Sequence, residues 1–320
     1  MNYTTFQVSL LTSLIVFAFQ FTATSNELPE GKILYYEESE QGKGELMVID
    51  LKSRGKRRVG QSGSRPDHFP SWSANGKKII FESYREDGWH VWLCDADGRN
   101  GRRLSNLPAY NTAYYEFDPG IAPDNQTVVF VQGDDLWTVT LDNSTPKRLT
   151  LENNGIWETA PTYSPDGEMI ATSGYHNQLK SWNIYVLNKD GSDVRQLTKD
   201  QGSAFAPQWS PDGQHILFYS DRNASFELYE MTIDGKRIRP VFNQAQLKSA
   251  GFRKTVLVNP WDNNWGATEQ YRAAYSPDGQ WIVFSRDIDN DRELFISRRD
   301  GSNIIRITNR AGLDGQPSWR

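Results

Sequence analysis

Several features are scarce in this 320-residue sequence. Its single cysteine, Cys94, excludes an intramolecular disulfide, and we expect this thiol to be buried and inert. The four histidines have no spacing typical of a metal site. The net charge is −5 without a concentrated basic stripe, which argues against nucleic acid as a partner. No nucleophile elbow, phosphate-binding loop or zinc signature is present, so no common catalytic motif indicates an enzyme.

Long hydrophobic runs are also rare, and the one exception is at the N-terminus. Residues 1–25 carry no charged side chain, and most of residues 8–23 are apolar. A short apolar run followed by small residues predicts a secretory signal peptide cleaved near Ser25, although an uncleaved anchor is the alternative. We therefore expect a signal peptide at 1–25, one domain at 26–320, a periplasmic or secreted location, and no membrane span after cleavage.

Short strands and tight turns make up most of the chain. The stretch from Phe205 to Gly235 contains a large apolar anchor at Trp209, followed by the turn Ser210-Pro211-Asp212-Gly213. Proline presets the backbone for such a turn and glycine completes it. Two strands rich in β-branched and aromatic residues follow, and the turn Asp234-Gly235 leads to a short fourth strand. The unit predicts one four-stranded antiparallel sheet.

The same unit is repeated along the chain. Its anchors are Trp72, Ile121, Tyr163, Trp209, Tyr275 and Trp319. They lie 42 to 66 residues apart, which is the spacing of proteins with one four-stranded blade per repeat. The chain begins with the second half of a repeat and ends with a first half, so the two termini should complete one blade. The sequence therefore predicts an all-β fold, a six-bladed β-propeller of four-stranded antiparallel blades closed by its N- and C-terminal strands.

These repeats also resemble a known family. The pattern Pro-x-Trp-Ser-Pro-Asp-Gly is followed by an apolar strand, Leu-Tyr, Asp-Gly and Arg-x-Leu-Thr, as in Arg195-Gln196-Leu197-Thr198. It is similar to the WD-like propeller repeats of the TolB-like family, and the similarity covers about residues 31 to 320. The resemblance implies an exported propeller that binds a protein or peptide partner, with the cell envelope as one expected source of that partner.

A candidate binding face follows from the propeller architecture. The segment that leads into each first strand lies around the mouth of the central channel, and carboxylic acids occur five residues before four anchors. Aromatic rings beside carboxylates suit a ligand with an apolar body and cationic or hydroxyl groups. The predicted binding residues are Asp67, His68, Glu116, Glu158, Asp314, Trp157, Trp261, Trp265 and Tyr271.

Other interpretations of these residues stay open at this point. The acids could be solvated loop residues, and the aromatic rings could pack between blades. The protein could instead be a lyase or hydrolase acting on a carbohydrate or peptide, with Glu116, Glu158, Asp314 and His68 as acid and base groups. The acidic segment from Asp287 to Glu293 could bind a cation weakly, but it lacks the glycine and glutamate of an EF-hand loop. The binding interpretation is favoured, with no cofactor, no metal and a monomeric state.

Overall fold

The computed structural model describes residues 28–39, 44–60, 66–85, 88–106, 115–150, 155–176, 178, 180–199, 202–223, 226–252, 271–288 and 291–320. The predicted signal peptide, Trp261 and Trp265 lie outside these residues. Within them, no helix is long and apolar enough to span a bilayer.

Strands account for nearly all of the regular structure. They are β1 (Lys32–Ser39), β2 (Gly44–Asp50), β3 (Lys56–Arg58), β4 (His68–Trp72), β5 (Lys78–Arg85), β6 (Gly88–Asp95), β7 (Arg102–Arg103), β8 (Glu116–Ile121), β9 (Thr127–Gln132), β10 (Asp135–Thr140), β11 (Asn143–Arg148), β12 (Ile156–Tyr163), β13 (Met169–His176), β14 (Ser181–Asn188), β15 (Arg195–Gln196), β16 (Ala204–Trp209), β17 (His215–Ser220), β18 (Glu227–Thr232), β19 (Arg239–Pro240), β20 (Ala273–Tyr275), β21 (Trp281–Ile288), β22 (Asp291–Arg298), β23 (Ile305–Arg306) and β24 (Gly312–Trp319). One short helix, α1 (Gln244–Ser249), follows β19.

The strands form a propeller of four-stranded antiparallel blades. Four separate sheets follow the predicted order, namely β4 to β7, β8 to β11, β12 to β15 and β16 to β19. The other eight described strands belong to one sheet, with the order β20-β21-β22-β24-β1-β2-β3 and β23 paired to β22. The prediction of six separate sheets is therefore wrong in its count. The reason is a parallel backbone contact between Arg292 on β22 and Leu313 on β24, which joins two groups of four strands.

The first and last strands pair, as the order of the half-repeats predicts. Strands β1 and β24 run antiparallel, with Ile33 opposite Trp319 and Leu34 opposite Ser318. At the end of this ladder, the Lys32 N–H donates to the Arg320 carbonyl over 2.7 Å, and the Arg320 N–H donates back to Lys32 over 3.0 Å. Residues nearly 290 positions apart are thus held in one sheet.

The repeated turn is stabilised by its own side chains. The Ser210 hydroxyl donates to Asp212 over 2.5 Å, and Asp212 also accepts from the Gln214 N–H over 2.9 Å. Gly213 has a φ of 68°, which is accessible to glycine at low cost. The turns at Ser164 and Ser276 contain the same serine-to-aspartate hydrogen bond. The sequence motif therefore encodes a closed reversal between first and second strands.

Large apolar side chains fill the space between neighbouring sheets. Trp209 is 5% exposed and packs in a cluster that combines Phe218 of its own sheet with Ile184 of the preceding one. Burying side chains of this size contributes about 2 to 3 kcal/mol each. The core is thus divided among the seams of the ring, and each anchor secures one seam.

The first strands line the centre of the ring. They neighbour one another in the closed cycle β24, β4, β8, β12, β16 and β20. Five of them contain a residue with positive φ three positions before the anchor, at Phe69, Asp118, Ala160, Ala206 and Gln316. Proline follows each of these residues and lacks an N–H group, which suits a strand edge that faces a channel. This backbone irregularity is a β-bulge, which turns the side chains that follow it toward the centre of the ring.

Candidate functional site

The described members of the predicted site lie on one face of the ring. We call it the loop face, because the first strands begin there and the connections between second and third strands lie there. Asp67, His68, Glu116, Trp157, Glu158, Tyr271 and Asp314 are all at, or within a few residues of, the start of a first strand. These residues therefore share one face of the ring, and their role in binding stays a prediction.

Glu116 is buried against the preceding sheet. Its side chain is 1% exposed. The carboxylate accepts a hydrogen bond from the Val91 N–H over 3.0 Å and another from the Ser105 hydroxyl. Val91 begins the apolar part of β6, and Ser105 follows β7, so both donors belong to the previous repeat. We call this contact between an acid and the preceding repeat an inter-sheet latch.

Glu158 forms the same latch one sheet later. Its carboxylate accepts from the Thr150 hydroxyl over 2.6 Å and from the Leu136 N–H over 3.2 Å. Burial raises the pKa of Glu158 to about 7, and the hydrogen bond from Thr150 opposes that shift. A carboxyl group with such a pKa is largely protonated in mildly acidic solution.

Asp314 occupies the equivalent place on β24 but is less well satisfied. It is 1% exposed, and among the described residues no donor meets its carboxylate oxygens in good hydrogen-bonding geometry, although the Thr308 hydroxyl is near enough to lower its pKa. Arg310 lies 3.5 Å away, measured from Nε to Oδ1. Burial raises the pKa of Asp314 to about 7, against the smaller influences of Thr308 and Arg310.

Asp67 is also buried but contacts its own sheet. It accepts from the Ser83 hydroxyl over 2.5 Å and from Arg85 over 2.9 Å. Burial raises its pKa, while Ser83 and Arg85 act in the opposite direction. The repeat before Asp67 ends with Gly60, at the position where four of the other five repeats have serine or threonine, so it offers no hydroxyl for a latch.

The latch explains the Leu-Thr part of the repeat where an acid begins the next first strand. In the third sheet along the chain, Arg148 pairs with Asp135, the Leu149 N–H donates to the Leu136 carbonyl over 2.8 Å, and Thr150 donates to Glu158. Sequence reasoning missed this connection. A usable signal existed, since Glu116, Glu158 and Asp314 each follow a repeat that ends in serine or threonine.

Aromatic rings form a continuous row along part of the loop face. Successive ring centroids are 5.0 to 6.0 Å apart, distances typical of packed aromatic pairs. The row consists of Trp157, Tyr175, Trp182, Phe205, Phe226 and Tyr271. Trp157 and Tyr175, at one end, are only half-buried. At the other end, the Arg292 guanidinium lies 4.0 Å from the centroid of Tyr271.

His68 belongs to a second aromatic cluster on the same face. Its ring lies 4.5 Å from that of Tyr36 and 5.6 Å from that of Trp89. Burial lowers the pKa of His68 to about 4, so the imidazole is neutral at physiological pH. Tyr115 lies just before β8 and is 41% exposed. The aromatic residues therefore reach solvent more than the acids do, and ligand binding by the acids stays a prediction.

Metal ligands do not converge in the part of the chain that the structure describes. No group of three or more His, Cys, Asp or Glu side chains there is placed to hold an ion. Within the acidic segment considered for a cation, Asp287 accepts from Arg292 over 2.8 Å and from the Tyr271 hydroxyl. Asp291 accepts from the Gly312 N–H over 3.2 Å. These contacts account for both carboxylates without an ion.

Comparison with known families agrees with this architecture. The family model of the Tricorn protease N-terminal beta propeller domain matches residues 113–273, and that of the TolB beta propeller domain matches residues 24–177. The chain belongs to the TolB-like β-propellers. This confirms the resemblance inferred from the repeats.

Individual relatives of this TolB-like propeller are more distant. It is 28% identical over 290 residues to an uncharacterized protein of Agrobacterium fabrum, and the aligned region covers 86% of this chain and 87% of the relative. It is 27% identical over 139 residues to the Tol-Pal system protein TolB of Anaeromyxobacter dehalogenans, covering 43% of this chain and 27% of that protein. The crystal structure of TolB from Acinetobacter baumannii superposes with a TM-score of 0.72 at 19% identity, covering 90% of this chain and 66% of that one.

Proposed function

We propose that this TolB-like propeller is an exported, non-catalytic binding protein that holds a protein or peptide partner on its loop face. The observation that carries the proposal is the aromatic row, whose end at Trp157 and Tyr175 is only half-buried. Aromatic side chains are enriched at the centres of protein interfaces because they bury much area with few rotatable bonds. The exposed ring of Tyr115 extends the aromatic surface of the same face.

We further infer that the ring has six blades. The eight-stranded sheet then comprises one blade of β20 to β23 and another of β24, β1, β2 and β3. Two observations support this division. The only bridge between β22 and β24 in the described part of the sheet pairs Arg292 with Leu313. In addition, six first strands neighbour one another in a closed cycle.

A catalytic function receives less support. A general acid or base must come within hydrogen-bonding distance of its substrate. Glu116 and Glu158 instead use their carboxylates in latches, and each is at most 4% exposed. A lyase or hydrolase that used these groups would have to break contacts between sheets during each turnover. The binding function requires no such rearrangement.

Export is part of the same proposal. A signal peptide at residues 1–25 would deliver residues 26–320 to the periplasm or the exterior, where the protein would act as a monomer. Expression of the full chain followed by fractionation and intact-mass measurement tests this step. A mature mass that begins near Asn26 in the exported fraction supports export, and an unprocessed chain retained in the cytoplasm contradicts it.

Site-specific photo-crosslinking tests the binding face. A photoreactive phenylalanine analogue at Tyr115, 41% exposed on the loop face, should cross-link to one partner in envelope extract. The matched control is the same analogue at Val194, which is 51% exposed just before the outer strand β15. The Tyr115 adduct should also weaken in Trp157→Ala and in the double variant Trp261→Ala, Trp265→Ala. Equal cross-linking from both positions, or an adduct that ignores all three tryptophans, contradicts the proposal.

A further inference from the structure

The central channel contains a cavity that is separate from the loop face. Its volume is about 470 Å³, within the range of roughly 300 to 1,000 Å³ typical of small-molecule sites. It is lined by the inner edges of all six first strands and extends to the Ser-Pro-Asp-Gly turns, since Pro165, Pro211 and Pro277 line it. We call the face where these turns lie the turn face.

An ion pair crosses the channel on the side of the loop face. Arg272 precedes β20 and reaches Asp118 on β8, and these strands are opposite each other in the cycle of first strands. Asp118 is fully used, because it also accepts from the Thr159 hydroxyl and from the Ala160 N–H. The two charges of the pair offset each other, so the floor of the cavity has little net charge.

Arg272 keeps hydrogen-bonding capacity toward the cavity. Its side chain is 19% exposed, whereas that of Asp118 is 2% exposed. The guanidinium carbon lies 4.9 Å from the centroid of the Phe69 ring, so the group is held flat against an aromatic face. A guanidinium group has five N–H donors in a fixed plane, and one nitrogen alone serves Asp118. The floor thus offers oriented donors without a free positive charge.

The walls of the cavity carry polar, uncharged side chains, and the charged residue outside the ion pair is Arg320, which is exposed at the turn face and donates to the Gly76 carbonyl. The residue just before the anchor is half-buried in four first strands, while the residues on either side of it are buried. These residues line the cavity and are Ser71, Thr162, Gln208 and Ser318. Gln208 and Thr162 lie 3.5 Å apart, from Nε2 to Oγ1, so they present a joined amide and hydroxyl surface. On the two remaining first strands the residue just before the anchor is small, namely Gly120 and Ala274.

Glycine at position 120 is required by the close approach of the next strand. A Cβ atom there would lie 2.7 Å from the Pro161 carbonyl oxygen. The small residues Gly120 and Ala274 are on the opposed strands β8 and β20. The side chains that line the cavity at this position are therefore smallest on these two opposed strands.

We propose that this cavity is a binding site for an uncharged, hydroxyl- and amide-bearing small molecule of the size of a mono- or disaccharide. Neutral hydroxyl and amide groups exchange hydrogen bonds with such a ligand without the desolvation cost of an unpaired charge. A charged ligand would have to enter a lumen whose ion pair, Asp118 with Arg272, is already satisfied. The site is on the turn face and does not depend on the partner proposed for the loop face.

Saturation-transfer NMR with three sugars of equal ring size but different charge tests the proposal. N-acetylglucosamine should bind with a dissociation constant on the order of 1 to 10 mM, at least fivefold more tightly than glucosamine or glucuronate. Gln208→Met keeps the length of the side chain and removes its hydrogen bonds, so it should weaken binding about fivefold. Ser71→Phe should abolish binding by filling the lumen. The matched control, Gln196→Met on the outer strand β15, should leave it unchanged.

Three results would overturn the assignment. If no sugar shows saturation transfer at about 20 mM, the channel holds only solvent. A preference for either charged sugar would contradict the neutral lumen. Equal weakening by Gln208→Met and Gln196→Met would place the binding outside the channel. Circular dichroism and thermal unfolding of each variant establish that the ring is folded before binding is measured.

Discussion

The buried carboxyl group of Glu158 makes the stability of the ring depend on pH. Burial raises its pKa from 4.5 to about 7. The folded state keeps the proton that the unfolded state loses near pH 4.5. The contribution of Glu158 to the free energy of unfolding is therefore fully present below pH 4.5 and is lost as pH rises through 7. A shift of this size corresponds to about 3 kcal/mol at roughly 1.4 kcal/mol per unit.

Glu158→Gln removes this titration while keeping an oxygen that accepts from Thr150 and Leu136. Relative to the unchanged protein, the free energy of unfolding of the variant should increase by about 3 kcal/mol between pH 5 and pH 8. Urea unfolding at half-unit pH steps measures it, and the difference between the two proteins isolates Glu158 from other titrating groups. Glu168→Gln is the control, because Glu168 is exposed and pairs only with Lys189 at the surface.

Two outcomes would refute this reasoning about Glu158. The first is a difference between the two proteins that stays constant from pH 5 to pH 8, which would mean that the carboxyl group titrates normally in the latch. The second is a difference of opposite sign, which would mean that Thr150, Leu136 and Arg148 stabilise the carboxylate more than burial destabilises it.

Three further perturbations test the latch, the channel and the seams. Thr150→Val removes the hydroxyl that joins Leu136 to Glu158 and should lower the free energy of unfolding, measured in urea at pH 6, by about 1 to 2 kcal/mol. A change near zero would show that the latch does not stabilise the fold. Asp118→Asn should lower the free energy of unfolding by about 2 kcal/mol because Arg272 loses its partner. A double-mutant cycle with Arg272→Met should show a coupling energy of about 1 kcal/mol or more, and additive effects of the two substitutions would contradict the ion pair. Trp319→Ala should cost about 3 to 5 kcal/mol by opening the seam at the terminal strand, and an unchanged thermal midpoint would show that β24 contributes little.

Much of the fold was predictable because its signals are local. Pro211 and Gly213 impose a reversal wherever they occur in this pattern, and the β-branched and aromatic residues that follow favour strands. The pairing of the terminal strands was predictable because a missing half-repeat at one end matches an extra half at the other. The fused sheet was not, since a single backbone bridge between Arg292 and Leu313 leaves no trace in side-chain pattern.

The direction in which the side chains of the site acids point could not be predicted from their spacing to the anchors. Counting back from the anchors placed Glu116 and Glu158 at the starts of first strands, but the partners that bury them, Ser105 and Thr150, belong to the preceding repeat. The residue Asp118, which reaches across the channel, was missed because its role depends on a backbone bulge and on Arg272 from the opposite strand. Such relations arise from packing between repeats, which a pattern within one repeat does not contain.

The pairing of Ile33 with Trp319 has a consequence for how the protein is made. During synthesis or secretion, β1 exposes an unpaired edge until β24 emerges. The slowest contacts to form are therefore those of greatest sequence separation, and the nascent protein resembles an open arc until β24 is available. A chain stopped a few residues early would keep its free edge permanently and become a substrate for chaperones and proteases.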